Sequence, residues 1–215
     1  MSKMLCFYFC IILLNGCLPT QNYQLTEVQE VDKNVTGTWY IYNSQEDPIG
    51  YVSSNGDTLL MFDPTDSTVM ELPYRIVKFG EDTYVEVNIS ESVIGDCSLE
   101  KFSTMACEGS ESIGLIGFLY LLMESNSSGY KMQFADLSVL KNDSMFAGKY
   151  QLTAKDWKPK QGFMTYTYEV FGFDDKVAQD LFSSRKIFNS ELSEFYMFSI
   201  VSLTDGELIH ELPDY

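Results

Sequence analysis

Alternating polar and apolar residues, cut by tight-turn sequences, predict an all-β chain, an antiparallel meander or barrel-like sheet, with one late α-helix. Three observations carry that prediction. Val85, Val87 and Ile89 alternate with Tyr84, Glu86 and Asn88, and Tyr130, Met132 and Phe134 alternate with Lys131 and Gln133. A period of two puts one apolar face on a half-buried antiparallel strand. Asn55-Gly56 sits between two such runs and is a strong short-range hairpin signal. Helical spacing stands out in one segment, where Val177, Ala178, Leu181 and Phe182 share a face behind the capping pair Asp174-Asp175.

At the N-terminus, Lys3 precedes an apolar run from Met4 to Leu14, and Asn15-Gly16 supplies a small exit. Charge, short apolar run and small residues are the pattern of a secretory signal. The run is too short to span a bilayer as a helix, which takes roughly 20 residues. Leu14-Asn15-Gly16-Cys17 resembles the lipobox of bacterial lipoproteins. The resemblance implies cleavage after Gly16 and diacylation of Cys17. It covers the first 18 residues; Asn15 is a less usual occupant, and Leu18 is not the Asp that retains enterobacterial lipoproteins in the inner membrane. The competing reading is an ordinary cleaved signal of a secreted glycoprotein, for which the sequons at Asn34, Asn88, Asn126 and Asn142 would be glycan acceptors.

The chain then divides into a signal peptide (1–16), a lipid-anchored tether (17–35) and a β-rich globular domain (36–215). The tether is mainly polar, and a flexible chain of that length reaches about 20–25 Å. Gly37-Thr38-Trp39 opens the domain. A G-x-W at the start of a first strand resembles the lipocalin/calycin superfamily, which implies a barrel closed at one end by the Trp. The T-D-Y turn and late Arg usual in that superfamily cannot be placed in this sequence, and Asp82-Thr83-Tyr84 has the wrong order. A Gly beside any core Trp is the alternative.

From there, Ile49–Val52 and Thr58–Phe62 form a hairpin, and Asp63-Pro64-Thr65-Asp66 is a turn. Tyr74–Phe79 and Thr83–Ile89 form a second hairpin around Gly80. Residues 91–112 are a long polar excursion that holds Cys97 and Cys107. Ile113–Met123 is the most apolar stretch after the signal. Its length and its Gly114, Gly117 and aromatics favour a strand buried on both faces, running through the middle of the sheet. Tyr130–Phe134 follows a turn. Tyr150, Leu152 and Ala154 alternate with Lys149, Gln151 and Thr153, Trp157–Gly162 is a turn, and Met164–Val170 returns as strand. After the helix, with Arg185 and Lys186 in its last turn, Phe195–Leu203 and Glu207–Leu212 form a final hairpin.

The chain carries 14 Lys+Arg against 31 Asp+Glu, a net charge of −17. Such a surface repels phosphate, so nucleic acid is not an expected partner. It repels anionic lipid too, which leaves the acyl anchor as the expected membrane contact. Of five cysteines, Cys6 and Cys10 leave with the signal and Cys17 takes the lipid. Cys97 and Cys107 remain, an even pair that reads as a disulfide in an exported chain.

Catalytic signals are sparse. The one histidine, His210, lies in a predicted strand, with no G-x-S-x-G nucleophile motif in the chain. No catalytic residue, metal site or cofactor is expected, and the chain is not read as an enzyme; facing carboxylates in a cleft would be needed to reopen that reading. The aromatic surplus at Tyr40, Tyr42, Tyr166, Tyr168, Phe171 and Phe173 either lines an apolar pocket or is ordinary sheet core. The expectation is a lipid-anchored envelope protein, in the outer membrane where there is one, facing the periplasm or the surface. It would bind a small apolar ligand with Trp39, Tyr166 and Tyr168, or hold another envelope protein through a sheet edge or the Cys97–Cys107 loop.

Overall fold

The structure is a computed structural model and describes residues 20, 29–30, 36–43, 48–64, 67–125, 129–158, 165–188 and 194–199. In chain order the strands are β1 (Gln29–Glu30), β2 (Thr36–Asn43), β3 (Pro48–Asn55), β4 (Thr58–Asp63), β5 (Thr68–Phe79), β6 (Asp82–Asn88), β7 (Val93–Asp96), β8 (Glu111–Ser112), β9 (Phe118–Ser125), β10 (Gly129–Phe134), β11 (Tyr150–Trp157), β12 (Tyr166–Phe173) and β13 (Glu194–Ser199). Among the described residues two α-helices join them: α1 (Leu99–Ser103) and α2 (Asp175–Ser184). The all-β reading with a late helix holds.

Eight strands pair in a ring. The order β2-β3-β4-β5-β6-β9-β10-β13 follows the chain, every contact is antiparallel, and β13 pairs back onto β2. The meander therefore curls into an up-and-down barrel. The β3–β4 hairpin turns where Asn-Gly predicts: Gly56 has φ +102°, and the Asn55 side chain accepts from the Asp57 and Thr58 amides at 3.0 and 2.9 Å.

The alternation read from the sequence sorts side chains to the two faces of this ring. Trp39, Val52, Met61 and Met70 lie side by side on four neighbouring strands. Ile76, Val85, Leu121 and Phe134 do the same farther round. Directly opposed residues share a face, so both rows belong to one interior cluster.

The outer face is covered twice. Val77, Tyr84 and Leu122 form one outward row. Ala178, Leu181 and Phe182 of α2 pack on it, with Ile187 and Phe188 behind. Asp174 caps α2 by accepting from the Val177 amide at 2.8 Å. Tyr51, Phe62 and Val69 form the other outward row, and α1 lays Phe102 over it, stacked on Phe62 at 5.0 Å. Cys97 and Cys107, paired with Cα atoms 5.6 Å apart, bracket this second cover. Between the covers, Glu86 is buried but satisfied by Arg75, at 2.8 and 3.1 Å, and by the Tyr120 hydroxyl at 2.9 Å.

Several expectations change. Only Phe118–Ser125 of the apolar stretch is strand; Ile113–Gly117 is a loop, because Gly114 and Gly117 take φ +76° and +125°. Residues 91–112 hold two short strands and α1 besides the disulfide. Tyr150–Trp157 pairs with β12 in a separate two-stranded sheet, so Leu152 and Ala154 are exposed, not core. Trp157 ends β11 with its ring buried, whereas a turn was expected there. Arg185 is not in the last turn of α2 but caps it in the left-handed region, φ 53°. The second strand of the final hairpin, Glu207–Leu212, lies outside the described residues. Within the stretch expected as tether, Thr20 bridges Phe118 and Phe171, and β1 pairs with Val77 and Lys78 of β5.

Candidate functional site

The interior of the ring is the candidate site, and its walls follow from the alternation. Gly37, Trp39 and Ile41 share the inner face of β2 by their spacing. A Cβ on Gly37 would stand 3.2 Å from the far edge of the Trp39 indole. The missing side chain is what lets that ring lie along its own strand. Trp39 meets Tyr130 edge-on, with ring centroids 6.0 Å apart. Tyr130 sits opposite Ser125, so this aromatic pair belongs to the C-terminal end of β9. A polar pair adds to the wall: the Ser54 and Tyr74 hydroxyls share a buried hydrogen bond of 2.6 Å.

The N-terminal end of β9 is closed differently. The β11–β12 hairpin lays Trp157, Tyr168 and Val170 against the interior cluster, with Leu115 from the preceding loop. Trp157 Nε1 donates to the Ile113 carbonyl at 2.7 Å, and the Ile116 amide donates to the Tyr168 hydroxyl at 2.9 Å. Burial pushes the Tyr168 phenol above its ordinary pKa, so it stays protonated. Two side-chain bonds to backbone thus fasten the hairpin over this end.

Between the ends the lining is apolar and rich in methionine. Met70 and Met132 are buried. Leu59, Met61, Met123, Tyr130 and Phe134 pack against the same cluster yet are only partly buried. Leu59 pairs with Leu72, Met61 with Met70, Met123 with Met132 and Phe134 with Leu121, so all four face inward. An inward side chain keeps accessible surface only where the interior is open to a mouth or incompletely filled.

The residues singled out from the sequence are divided by this geometry. Trp39 and Tyr168 both touch the interior cluster, but at opposite ends of β9. Tyr166 pairs with Trp157 in the β11–β12 ladder, and its side chain lies outside the described set. Cys17 and His210 lie outside it too. Of the other aromatics, Tyr40 and Tyr42 are turned to the outer face, where Tyr40 meets Tyr51 at 4.8 Å. Burial raises the Tyr51 phenol far above its ordinary pKa. Phe171 and Phe173 stack on each other beside the α2 layer.

Sequence reasoning missed the Ser54–Tyr74 pair, the methionine lining and the capping role of Trp157. Alternation could have placed Met61 and Met70, since each is two residues from another apolar residue of its strand. Nothing local marks Ser54 or Trp157, whose partners are 20 and 44 residues away.

Among the described residues, no group of three or more His, Cys, Asp or Glu could hold a metal ion, and no helix is long and apolar enough to cross a membrane. No family model, curated protein or solved structure matches the chain.

Proposed function

We propose that the chain is a lipid-anchored protein of the bacterial envelope that takes a small apolar ligand inside its barrel and catalyses no reaction. The observation that carries the reading is the set of inward-facing but incompletely buried side chains, Leu59, Met61, Met123, Tyr130 and Phe134. Eight strands enclose a space that side chains either fill or share with one small ligand. Methionine walls adapt to irregular apolar shapes, and Tyr130 and the Ser54–Tyr74 pair would orient a polar head group. Gly37-x-Trp39 on the first strand of an up-and-down meander fits the lipocalin-like resemblance. The lipobox-like Leu14–Cys17 supports the anchor.

The test has two parts. Intact mass spectrometry of the membrane-extracted protein should show acyl mass at Cys17, and Cys17→Ala should abolish it. Organic extraction of the same protein should release a stoichiometric apolar molecule, and the emptied protein should bind anilinonaphthalene sulfonate. Met61→Phe, which fills the interior, should weaken probe binding at least tenfold with near-UV circular dichroism unchanged. A folded protein that neither carries an apolar molecule nor binds the probe overturns the ligand reading, whatever the anchor result.

A further inference from the structure

The body is not evenly acidic, and the end fastened by the hairpin differs from the rest in three ways. The first is where the N-terminal chain is held. Thr20 is almost fully buried, and its amide and carbonyl exchange hydrogen bonds of 3.0 Å with those of Phe118. It also bridges Phe171 in parallel. Leu152, Phe171, Thr20 and Phe118 therefore lie side by side across β11, β12, one residue of the N-terminal segment, and β9. Cys17 is three residues upstream, and three residues span at most about 11 Å. An acyl chain on Cys17 would hold this end close to the lipid, not at the 20–25 Å that a free tether would allow.

The second is apolar exposure. Among the described residues three large hydrophobic ones are exposed, and two are here: Ile116 at 47 % and Leu152 at 40 %. Ile116 lies in the closing loop two residues from Phe118, and Leu152 is the outermost member of the row that Thr20 joins. The third is charge. Between Lys141 and Lys158 the chain has four lysines and two aspartates, inside a chain of net −17. Both nearby acids on the hairpin are engaged: Asp156 accepts from Thr167 at 2.8 Å, and Glu169 pairs with Lys141. Lys149 and Lys158 are exposed. The disulfide excursion is the reverse, with Glu91, Asp96, Glu100, Glu108 and Glu111 against Lys101 alone.

We infer that the end closed by Ile113–Gly117 and the β11–β12 hairpin is a membrane-contact face, set on a phospholipid bilayer with Ile116 and Leu152 in the interface and Lys155 and Lys158 among the head groups. Apolar contact with basic residues around it is the composition of an interfacial surface. The inference rests on the anchor proposed above and makes the protein surface, not only the acyl chains, part of the attachment.

The acylated full-length protein, reconstituted in vesicles of phosphatidylethanolamine and phosphatidylglycerol, provides the test. Single nitroxide labels go on Ile116→Cys, Lys158→Cys and Ser125→Cys. Ser125 is at the other end of β9 from Phe118, about 23 Å along an extended strand. Labels at 116 and 158 should show the high oxygen and low nickel-chelate accessibility of an interface, and the label at 125 that of water. Acylated protein whose 116 label is as water-exposed as its 125 label overturns the inference and leaves the anchor standing. Protein without acyl mass at Cys17 overturns the anchor and the inference together. All three label positions are exposed or in a loop, and near-UV circular dichroism verifies that each variant is folded.

Discussion

Strands β9 and β11 are the same length, eight residues each, and both lie in antiparallel pairs, yet they live in different surroundings. Strand β9 runs between β6 and β10. Its Leu119 and Leu121 enter the barrel interior, and its Tyr120 and Leu122 enter the layer under α2. Among the described residues β11 has one strand neighbour, β12, and of its side chains only Trp157 is buried. The difference teaches what fixes a strand in this molecule. A strand with apolar layers on both faces is built into the core from both sides. A strand with one anchoring aromatic is an attachment, held by a few specific bonds such as the one from Trp157 to Ile113.

Aspartate substitutions sharpen that contrast most. Leu121→Asp buries a carboxylate among Val85, Phe134 and the interior cluster with no cation opposite. It should cost several kcal/mol, roughly 3–5, or prevent folding. Leu152→Asp, at a site already 40 % exposed, should change stability by no more than about 0.5 kcal/mol. Urea unfolding of both variants measures the gap. Equal effects would break the comparison and place the two strands in equivalent environments.

The two outer covers give the next contrast. Helix α2 rests on β6 and β9 through its own apolar face, whereas α1 has five residues and depends on its staple. Removing the staple with Cys97→Ala and Cys107→Ala should cost about 2–3 kcal/mol, since a ten-residue loop is released in the unfolded chain. The loss should reach Phe102 and the Tyr51–Phe62–Val69 row first. Hydrogen exchange that rises in β4 and β7 but not in β6 and β9 is the expected pattern. A uniform rise would mean that the two covers are not independent.

The legible parts of this fold are those whose cause is local. Period-two alternation placed β6, β10 and β12, Asn55-Gly56 placed the first hairpin, and Asp174 with an apolar helical face placed α2. The cysteine pair was legible through its count alone. What failed was long-range. Ile113–Met123 reads as one apolar strand, but the positive φ of Gly114 and Gly117 divides it into a cap and a strand, and only the Trp157 and Tyr168 contacts 44 and 52 residues away show why. Leu152 has the spacing of a core residue; that β11 lies off the barrel is decided by the ring having closed without it. For the same reason Trp39 and Tyr168, both credible lining residues by type, are assigned to opposite ends only once the registers are known.

The smallest effect tests how the second layer over β9 is fastened. Arg185, in its left-handed cap after α2, donates from Nε to Asp82 at 2.9 Å and from a terminal nitrogen to the other carboxylate oxygen, with Glu124 of β9 3.8 Å away. Hydrogen bonds from Arg185 hold the Asp82 carboxyl below its ordinary pKa, and the bond from the Tyr84 hydroxyl adds to this. A carboxylate with a depressed folded pKa contributes stability that is fully present above its unfolded pKa, about 3.9. That contribution is lost as pH falls through the folded value. Stability should therefore hold from neutrality down to about pH 5 as far as this pair is concerned, and decline below it. Asp82→Asn removes the titrating group and should flatten that part of the acid limb while lowering stability slightly at pH 7. Arg185 is half exposed, so solvent screening keeps the effect small, and 1 M salt should shrink the difference between the two proteins at pH 7. An acid limb identical in the wild type and Asp82→Asn would mean that α2 is held over β9 by its apolar face alone, through Ala178, Leu181 and Phe182.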